Sequence, residues 1–220
     1  MGCTLRKQNC EEEIYLIELQ ETLCLHKHSS EELDLHLRKF TLSSTRLNQS
    51  QLIDFLNALN LITWDTRKQT MAFYELYQAE PGKFLFRPLL ITVILLGNSA
   101  SHVKGRLIFE AFDTNNSKKL CLNTFYELVD LILDISLEKL PKLAQFKYQS
   151  LDIIGNYTVN LTSQRLKARD CMVKLFVPVE LSSTDRVLKD EFILSCYKEE
   201  PASQLLTPEG VRSFVGIMSR

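Results

Sequence analysis

Apolar residues recur at helical spacing along most of the chain, and short polar stretches separate the runs. In the segment from Gln49 to Leu61, for example, Leu52, Phe55 and Leu59 recur at spacings of three and four residues. Such spacing places side chains on one face of a helix. An eight-residue apolar run, Leu89 to Leu96, is far too short to span a membrane and indicates a buried helix. The pattern predicts an all-α protein.

A short hydrophobic signature recurs four times, each time just after a helix-like run. It consists of one apolar residue, four intervening residues and a second apolar residue. The first three copies begin 37 and 36 residues apart, and the fourth begins 67 residues later. A period of this length indicates a repeated supersecondary unit. The copies are Leu47 with Leu52, Phe84 with Leu89, Leu120 with Phe125, and Val187 with Phe192.

The unit that this signature predicts is the EF-hand, a helix–loop–helix with a twelve-residue loop. Calcium is bound there by oxygens from positions 1, 3, 5, 7 and 9 and by a bidentate Glu at 12, while Gly at 6 makes the turn. We align each copy with its first apolar residue at position 8, which pairs with position 8 of a neighbouring loop. Leu47 is therefore expected to pair with Phe84, and Leu120 with Val187.

The third copy resembles an EF-hand loop most closely. Its position-8 residue, Leu120, is preceded by Phe109 and Phe112, but Lys118 replaces the turn glycine and Thr124 replaces the Glu. Calcium needs several anionic oxygens, and this loop carries two lysines and one carboxylate. We therefore expect that its three remaining ligand positions have lost their metal: Asp113 at 1, Asn115 at 3 and Ser117 at 5.

The first and second copies have fewer acids still. On the same alignment the first loop runs from Phe40 to Gln51 and contains no carboxylate. The second runs from Tyr77 to Pro88, keeps Gly82 at position 6, and has only Glu80 as a carboxylate. We expect no metal in either loop.

The fourth copy is the one plausible metal loop. Asp185 stands at position 6, where Asp tolerates a left-handed backbone better than most residues. One interpretation is a weak calcium or magnesium site. The favoured alternative is a helix start with solvated acids. The candidate ligands are Glu180 at 1, Ser182 at 3, Thr184 at 5, Arg186 at 7 and Glu191 at 12.

Composition excludes several other classes. The net charge is −1, so the chain lacks the basic excess of a nucleic-acid-binding protein. The six cysteines are scattered without a CxxC pair, which favours a reduced intracellular compartment. Cys24, His26 and His28 lie close together but lack a fourth zinc ligand, so a solvated helix end is favoured over a metal site. No phosphate loop, nucleophile elbow or HExxH motif occurs, and we predict no enzyme activity.

These motifs resemble the calcineurin B-like and neuronal calcium sensor branch of the EF-hand proteins. The resemblance covers about Leu33 to Cys196 and rests on four repeats, the Phe-x-x-Phe-Asp run ending at Asp113, and an N-terminal Met-Gly-Cys. It implies that an apolar groove holds a helix of a target protein, a role that needs no calcium ligands. The expected groove residues are Phe55, Phe73, Leu90, Phe109, Leu128 and Phe192.

The N-terminal Met-Gly-Cys is the pattern for myristoylation at Gly2 and palmitoylation at Cys3. Two acyl chains would anchor the protein stably at a membrane. However, Arg6 stands where the consensus has Ser or Thr. The alternative is an unmodified, disordered leader. We expect a cytoplasmic protein. A membrane surface and a large cytoskeletal or ciliary assembly are further expected locations.

The predicted organisation has two lobes that meet near Gly97 to Ser101. Residues 1–28 form a leader and helix, 29–98 the first EF-hand pair, 99–200 the second pair, and 201–220 a final helix. An insert at about 137–163 is expected to hold one short helix and a loop around Gly155. The final helix carries an apolar stripe, which either completes the core or lies in the groove of the second lobe: Val211, Phe214, Val215 and Met218.

The sequence thus predicts a largely metal-independent EF-hand adaptor or structural subunit that holds an amphipathic helix of a larger protein. It needs no cofactor, or at most weak calcium at the fourth loop. The alternative is a membrane-anchored calcium sensor that works through that loop.

Overall fold

The computed structural model describes residues 11–40, 45–62, 66–147, 152–177, 185–198 and 201–218. Most of these residues are helical, and two small antiparallel sheets accompany the helices. This confirms the prediction of a mainly helical protein. The predictions for Gly2, Cys3, Glu180, Ser182 and Thr184 lie outside the described residues.

The helices fall into two halves along the chain. The first half contains α1 (Glu11–Glu21), α2 (Ser30–Lys39), α3 (Gln49–Ala58), α4 (Arg67–Glu75) and α5 (Phe86–Leu96). The second contains α6 (Ser101–Phe112), α7 (Leu122–Asp134), α8 (Leu140–Lys147), α9 (Asp152–Ser163), α10 (Arg165–Phe176), α11 (Lys189–Lys198) and α12 (Pro208–Met218). A π-helical turn, Ile135–Lys139, joins α7 to α8.

The helix starts follow local side-chain chemistry. Ser29 caps α2 by accepting a hydrogen bond from the backbone N–H of Glu32 at 3.1 Å. Asn48 and Gln51 form a reciprocal capping box at the start of α3. Each cap satisfies backbone donors that the first turn of a helix leaves open.

Both sheets pair the apolar residues that the sequence repeats. The first joins β1 (Arg46–Asn48), β2 (Gln78–Glu80) and β3 (Lys83–Leu85) in the order β1-β3-β2, with Leu47 opposite Phe84. The second joins β4 (Lys119–Cys121) to β5 (Arg186–Leu188), with Leu120 opposite Val187. Both predicted pairings are confirmed.

One hydrophobic cluster extends through both halves of the protein. Its centre includes α5, in which every residue from Leu89 to Leu95 is buried, as the apolar run predicts. Helix α5 packs against both α2 and α6, which also contact each other. The two predicted lobes therefore share a core.

The insert differs from its prediction because Gly155 lies within helix α9 rather than in a loop. A Cβ added at Gly155 would meet nothing within 4 Å, so the glycine occupies a solvent-facing helical position. Buried Ile154 and Leu161 hold α9 against the core, which outweighs the low helix propensity of glycine. The other helix of the insert, α8, packs against α1 and α4 of the first half.

The final helix uses its apolar stripe to complete the core. Val211 and Val215 are fully buried, and Phe214 and Met218 pack beside them. Helix α12 lies against the π-helical turn, α9 and α10. None of the helices in the described part of the chain is long and apolar enough to cross a membrane.

Candidate functional site: four paired loops and their surroundings

The third loop uses its only carboxylate to hold its own backbone. Asp113 Oδ1 accepts hydrogen bonds from the backbone N–H of Ser117 at 2.8 Å and from its hydroxyl at 2.9 Å. Asp113 Oδ2 accepts the backbone N–H of Lys118 at 2.7 Å. Lys118 has a positive φ of 58° at position 6, where an EF-hand loop turns sharply.

These contacts also set the charge state of the loop. Burial acts to raise the pKa of Asp113, but the hydrogen bonds from Ser117 and Lys118 together bring it below its usual value. Asn115 Oδ1 accepts a further, longer bond from the backbone of Ser117 at 3.2 Å. The oxygens predicted to have lost their metal therefore serve contacts within the loop.

The second loop forms a hairpin. Strands β2 and β3 pair across a turn in which Gly82 has a φ of 72°. Its single carboxylate, Glu80, accepts a hydrogen bond from Lys83 at 2.9 Å and forms an ion pair with Arg46 of the first loop. The hydrogen bond from Lys83, and then that from Arg46, lowers the pKa of Glu80. The carboxylate of Glu80 is thus paired with Lys83 and Arg46.

The described part of the fourth loop has two features that the sequence comparison with a metal loop drew attention to. Asp185 has a φ of 48°, the left-handed conformation that the sequence predicts for position 6. Glu191 Oε2 is buried and has no hydrogen-bond partner in the described parts of the chain. Arg186 lies exposed in β5. Across the described ranges, no three His, Cys, Asp or Glu side chains are grouped closely enough to hold a metal.

A repeated backbone contact relates the loops of each pair. The N–H of Leu122 donates to the carbonyl of Asp185 at 3.0 Å, and the N–H of Lys189 donates to that of Lys118 at 3.0 Å. In the first pair, the N–H of Phe86 donates to the carbonyl of Thr45 at 3.0 Å. Each bond joins position 10 of one loop to position 6 of its partner, so the two pairs share one backbone frame.

The six residues expected to line a partner groove lie in the protein's own core. Each is at most 1% exposed, so they line no open groove in this conformation. The chain's later helices account for the difference. Helix α8 packs on α4, which carries Phe73, and α10 packs on α7, which carries Leu128. Phe192 packs against Phe109, Phe125 and Phe176 with ring centroids 5.1–5.9 Å apart.

Sequence reasoning missed an exposed apolar pair on α11. Leu194 is 47% exposed and Tyr197 59% exposed, and the ring of Tyr197 stacks on His102 of α6 at 3.9 Å. The spacing of three residues places the two side chains on one helix face.

The residues Cys24, His26 and His28 do not converge on a site. His28 makes ring-nitrogen hydrogen bonds with Glu32 at 3.1 Å and with the carbonyl of Leu59 at 3.0 Å. His26 lies exposed beside a cleft, and Cys24 is a free thiol. His28 therefore has a structural role, and it is held by hydrogen bonds within the protein rather than solvated as expected.

A cleft of about 470 Å³ lies between α1, the segment joining α5 to α6, and the start of α12. Lys104 on its wall is 5% exposed and donates to the carbonyl of Leu95 at 2.7 Å. Burial lowers the pKa of Lys104 to about 8. The amide nitrogen of Gln20, also on the wall, has no acceptor among the described residues.

A buried ion pair joins the two ends of the described chain. Arg212 of α12 is 0% exposed, and its guanidinium donates to Glu13 of α1 at 2.6–3.0 Å. The sequence patterns described above predict no contact for Glu13 or Arg212. A signal was present on α12, since Arg212 adjoins Val211 within an apolar stripe.

The chain matches none of the protein-family models, curated proteins or solved structures with which it was compared.

Proposed function

We propose that this protein is an EF-hand-like binding module that acts without metal and holds a helical segment of a partner protein. It would serve as an adaptor or structural subunit. The observation that carries the proposal is the shared frame of the two loop pairs. Leu47 faces Phe84, Leu120 faces Val187, and the same backbone bond recurs in both pairs.

The contacts of the acids support a role without metal. The carboxylate of Asp113 is occupied by donors of its own loop, and that of Glu80 by two cations. A calcium ion would have to displace these contacts before it gained any ligand. In this proposal the loop pairs hold the helices in place without a metal ion.

The surface beneath α12 is the proposed site for a partner helix. Helix α12 presents Val211 and Val215 to the π-helical turn, α9 and α10. Helix α10 precedes the fourth loop and the π-helical turn continues α7, which follows the third loop, so α12 occupies the place that a target helix takes in a groove. A partner helix with the same apolar spacing would compete with α12.

The test is cross-linking of the tagged full-length protein in its own cells, with and without a calcium chelator. We expect cross-links from the π-helical turn, α9 and α10 to one amphipathic helix of one partner, retained in chelator and increased when residues 207–220 are deleted. Cross-links that scatter over unrelated surfaces, or that disappear in chelator, would contradict the proposal.

A membrane-anchored calcium sensor is the second candidate function. Two observations at the fourth loop favour it: the left-handed Asp185 at position 6, and the buried oxygen of Glu191 at position 12 that lacks a partner among the described residues. Acylation at Gly2 and Cys3 would supply the anchor. Calcium-dependent partitioning onto vesicles, lost in Glu191→Gln, would support this candidate over the adaptor.

A further inference from the structure

The pair formed by Glu13 and Arg212 joins residues 199 positions apart in the chain. Arg212 Nε lies 3.0 and 2.9 Å from the two carboxylate oxygens, and Arg212 Nη2 lies 2.6 Å from Oε1. Such a two-pronged contact fixes both the distance and the orientation of the two helices.

Two further elements complete the site. Arg212 Nη1 donates to the carbonyl of Ser136 in the π-helical turn at 3.3 Å. The hydroxyl of Tyr157 on α9 donates to Glu13 Oε2 at 2.9 Å. Helices α1, α9 and α12 and the turn after α7 thus meet at one polar contact within an apolar surround.

Because the ion pair is buried, it is stable while both helices are packed and very unfavourable when one partner is removed. Arg212 is 0% exposed and Glu13 is 6% exposed, so water does not reach the guanidinium while the helices are packed. Removing one partner of a buried ion pair leaves an uncompensated charge, which is strongly unfavourable, whereas replacing both by apolar residues is often neutral. If α1 moves away, Arg212 must therefore also leave the core.

We propose that Glu13 and Arg212 form a latch through which α1 and α12 open together rather than separately. The coupling is reciprocal, because loosening either helix must loosen the other by the same factor. It goes beyond the proposed function, since it holds whether or not a partner helix exists.

Hydrogen exchange of the full-length protein, followed by mass spectrometry, tests the latch. In Glu13→Gln we expect amides of α12 to exchange at least tenfold faster, and in Arg212→Met we expect the same for α1. The double variant Glu13→Leu/Arg212→Met should return both helices to within threefold of the natural protein. Glu11→Gln, an exposed change on the same helix, is the matched control and should alter neither.

Two outcomes would overturn the latch. In one, each single variant loosens only its own helix. In the other, the double variant is as loose as the singles. Should a single variant fail to fold, the natural protein still gives a decision. Its exchange at low denaturant should yield one shared opening equilibrium for α1 and α12, and two clearly different equilibria would refute the coupling.

Discussion

The carboxylate of Asp113 accepts the backbone N–H of Lys118 at 2.7 Å. The bond closes the turn at position 6, where Lys118 has a φ of 58°. A lysine therefore holds a left-handed backbone conformation that favours glycine, and the carboxylate of Asp113 fixes that turn. The loop is therefore stabilised by its own contacts, and substitutions of Lys118 and Asp113 test their contributions separately.

Replacing Lys118 by Gly should stabilise the protein. A left-handed backbone costs a non-glycine residue roughly 1–2 kcal/mol, and the lost flexibility of glycine offsets about half of that. We expect a gain of about 0.5–1 kcal/mol in the free energy of unfolding, measured with urea. Lys119→Gly is the matched control, because Lys119 lies in β4 and glycine there should destabilise. Equal losses from both changes would contradict the strain at Lys118.

Asp113→Asn should destabilise the protein at neutral pH by about 1 kcal/mol, because charged acceptors make stronger hydrogen bonds. The folded state lowers the pKa of Asp113 from 3.8, so its contribution is complete above pH 3.8. It should disappear as the pH falls through the lowered pKa. Urea unfolding at several pH values measures the difference, with the exposed Asp54→Asn as control. If the difference in unfolding free energy between the natural protein and Asp113→Asn grew as the pH fell, the lowered pKa of Asp113 would be contradicted.

Loss of the hydroxyl should change the stability differently at two buried tyrosines, Tyr77 and Tyr74. Tyr77 donates to Thr92 at 2.7 Å, since Thr92 itself donates to the carbonyl of Pro88. The hydroxyl of Tyr74 is buried without a partner among the described residues. Tyr77→Phe should cost about 1 kcal/mol, while Tyr74→Phe should be neutral or stabilising. Thermal unfolding of the two variants decides, and a larger loss for Tyr74→Phe would contradict the structure.

Lys104→Met should be at least as stable as the natural protein at pH 7, because among the described residues the buried ammonium has only the carbonyl of Leu95 as a hydrogen-bond acceptor. Burial lowers the pKa of Lys104 from 10.5 to about 8, so between these values the unfolded chain binds more protons than the folded one. The natural protein should therefore gain stability relative to Lys104→Met over that range, by at most about 3 kcal/mol. Lys142→Met, exposed on α8, is the control. If the difference in stability between the natural protein and Lys104→Met did not change with pH over this range, a buried charge on Lys104 would be contradicted.

The sequence predicted the contacts that depend on local pattern. Leu47 and Phe84 could be paired in advance because an apolar residue at one loop position recurs with a fixed period. The turn at Asp185 followed from its position in the same repeat. These predictions needed only spacing and backbone preference.

The contacts that the sequence did not reveal depend on tertiary packing. Glu13 and Arg212 meet only because α12 returns to the start of the chain, and no local pattern records that return. Phe73, which was expected to line a groove, is buried because α8, a helix of the insert, packs on α4. Gly155 is helical because its neighbours on α9 are buried, which outweighs its local preference.

Calorimetric titration of calcium and magnesium into the chelator-stripped full-length protein, beside Glu191→Gln, tests the central claim most directly. The account predicts no binding heat up to millimolar metal and no difference between the two proteins. Micromolar calcium binding that Glu191→Gln abolishes would contradict a metal-independent module and would make the fourth loop a sensor.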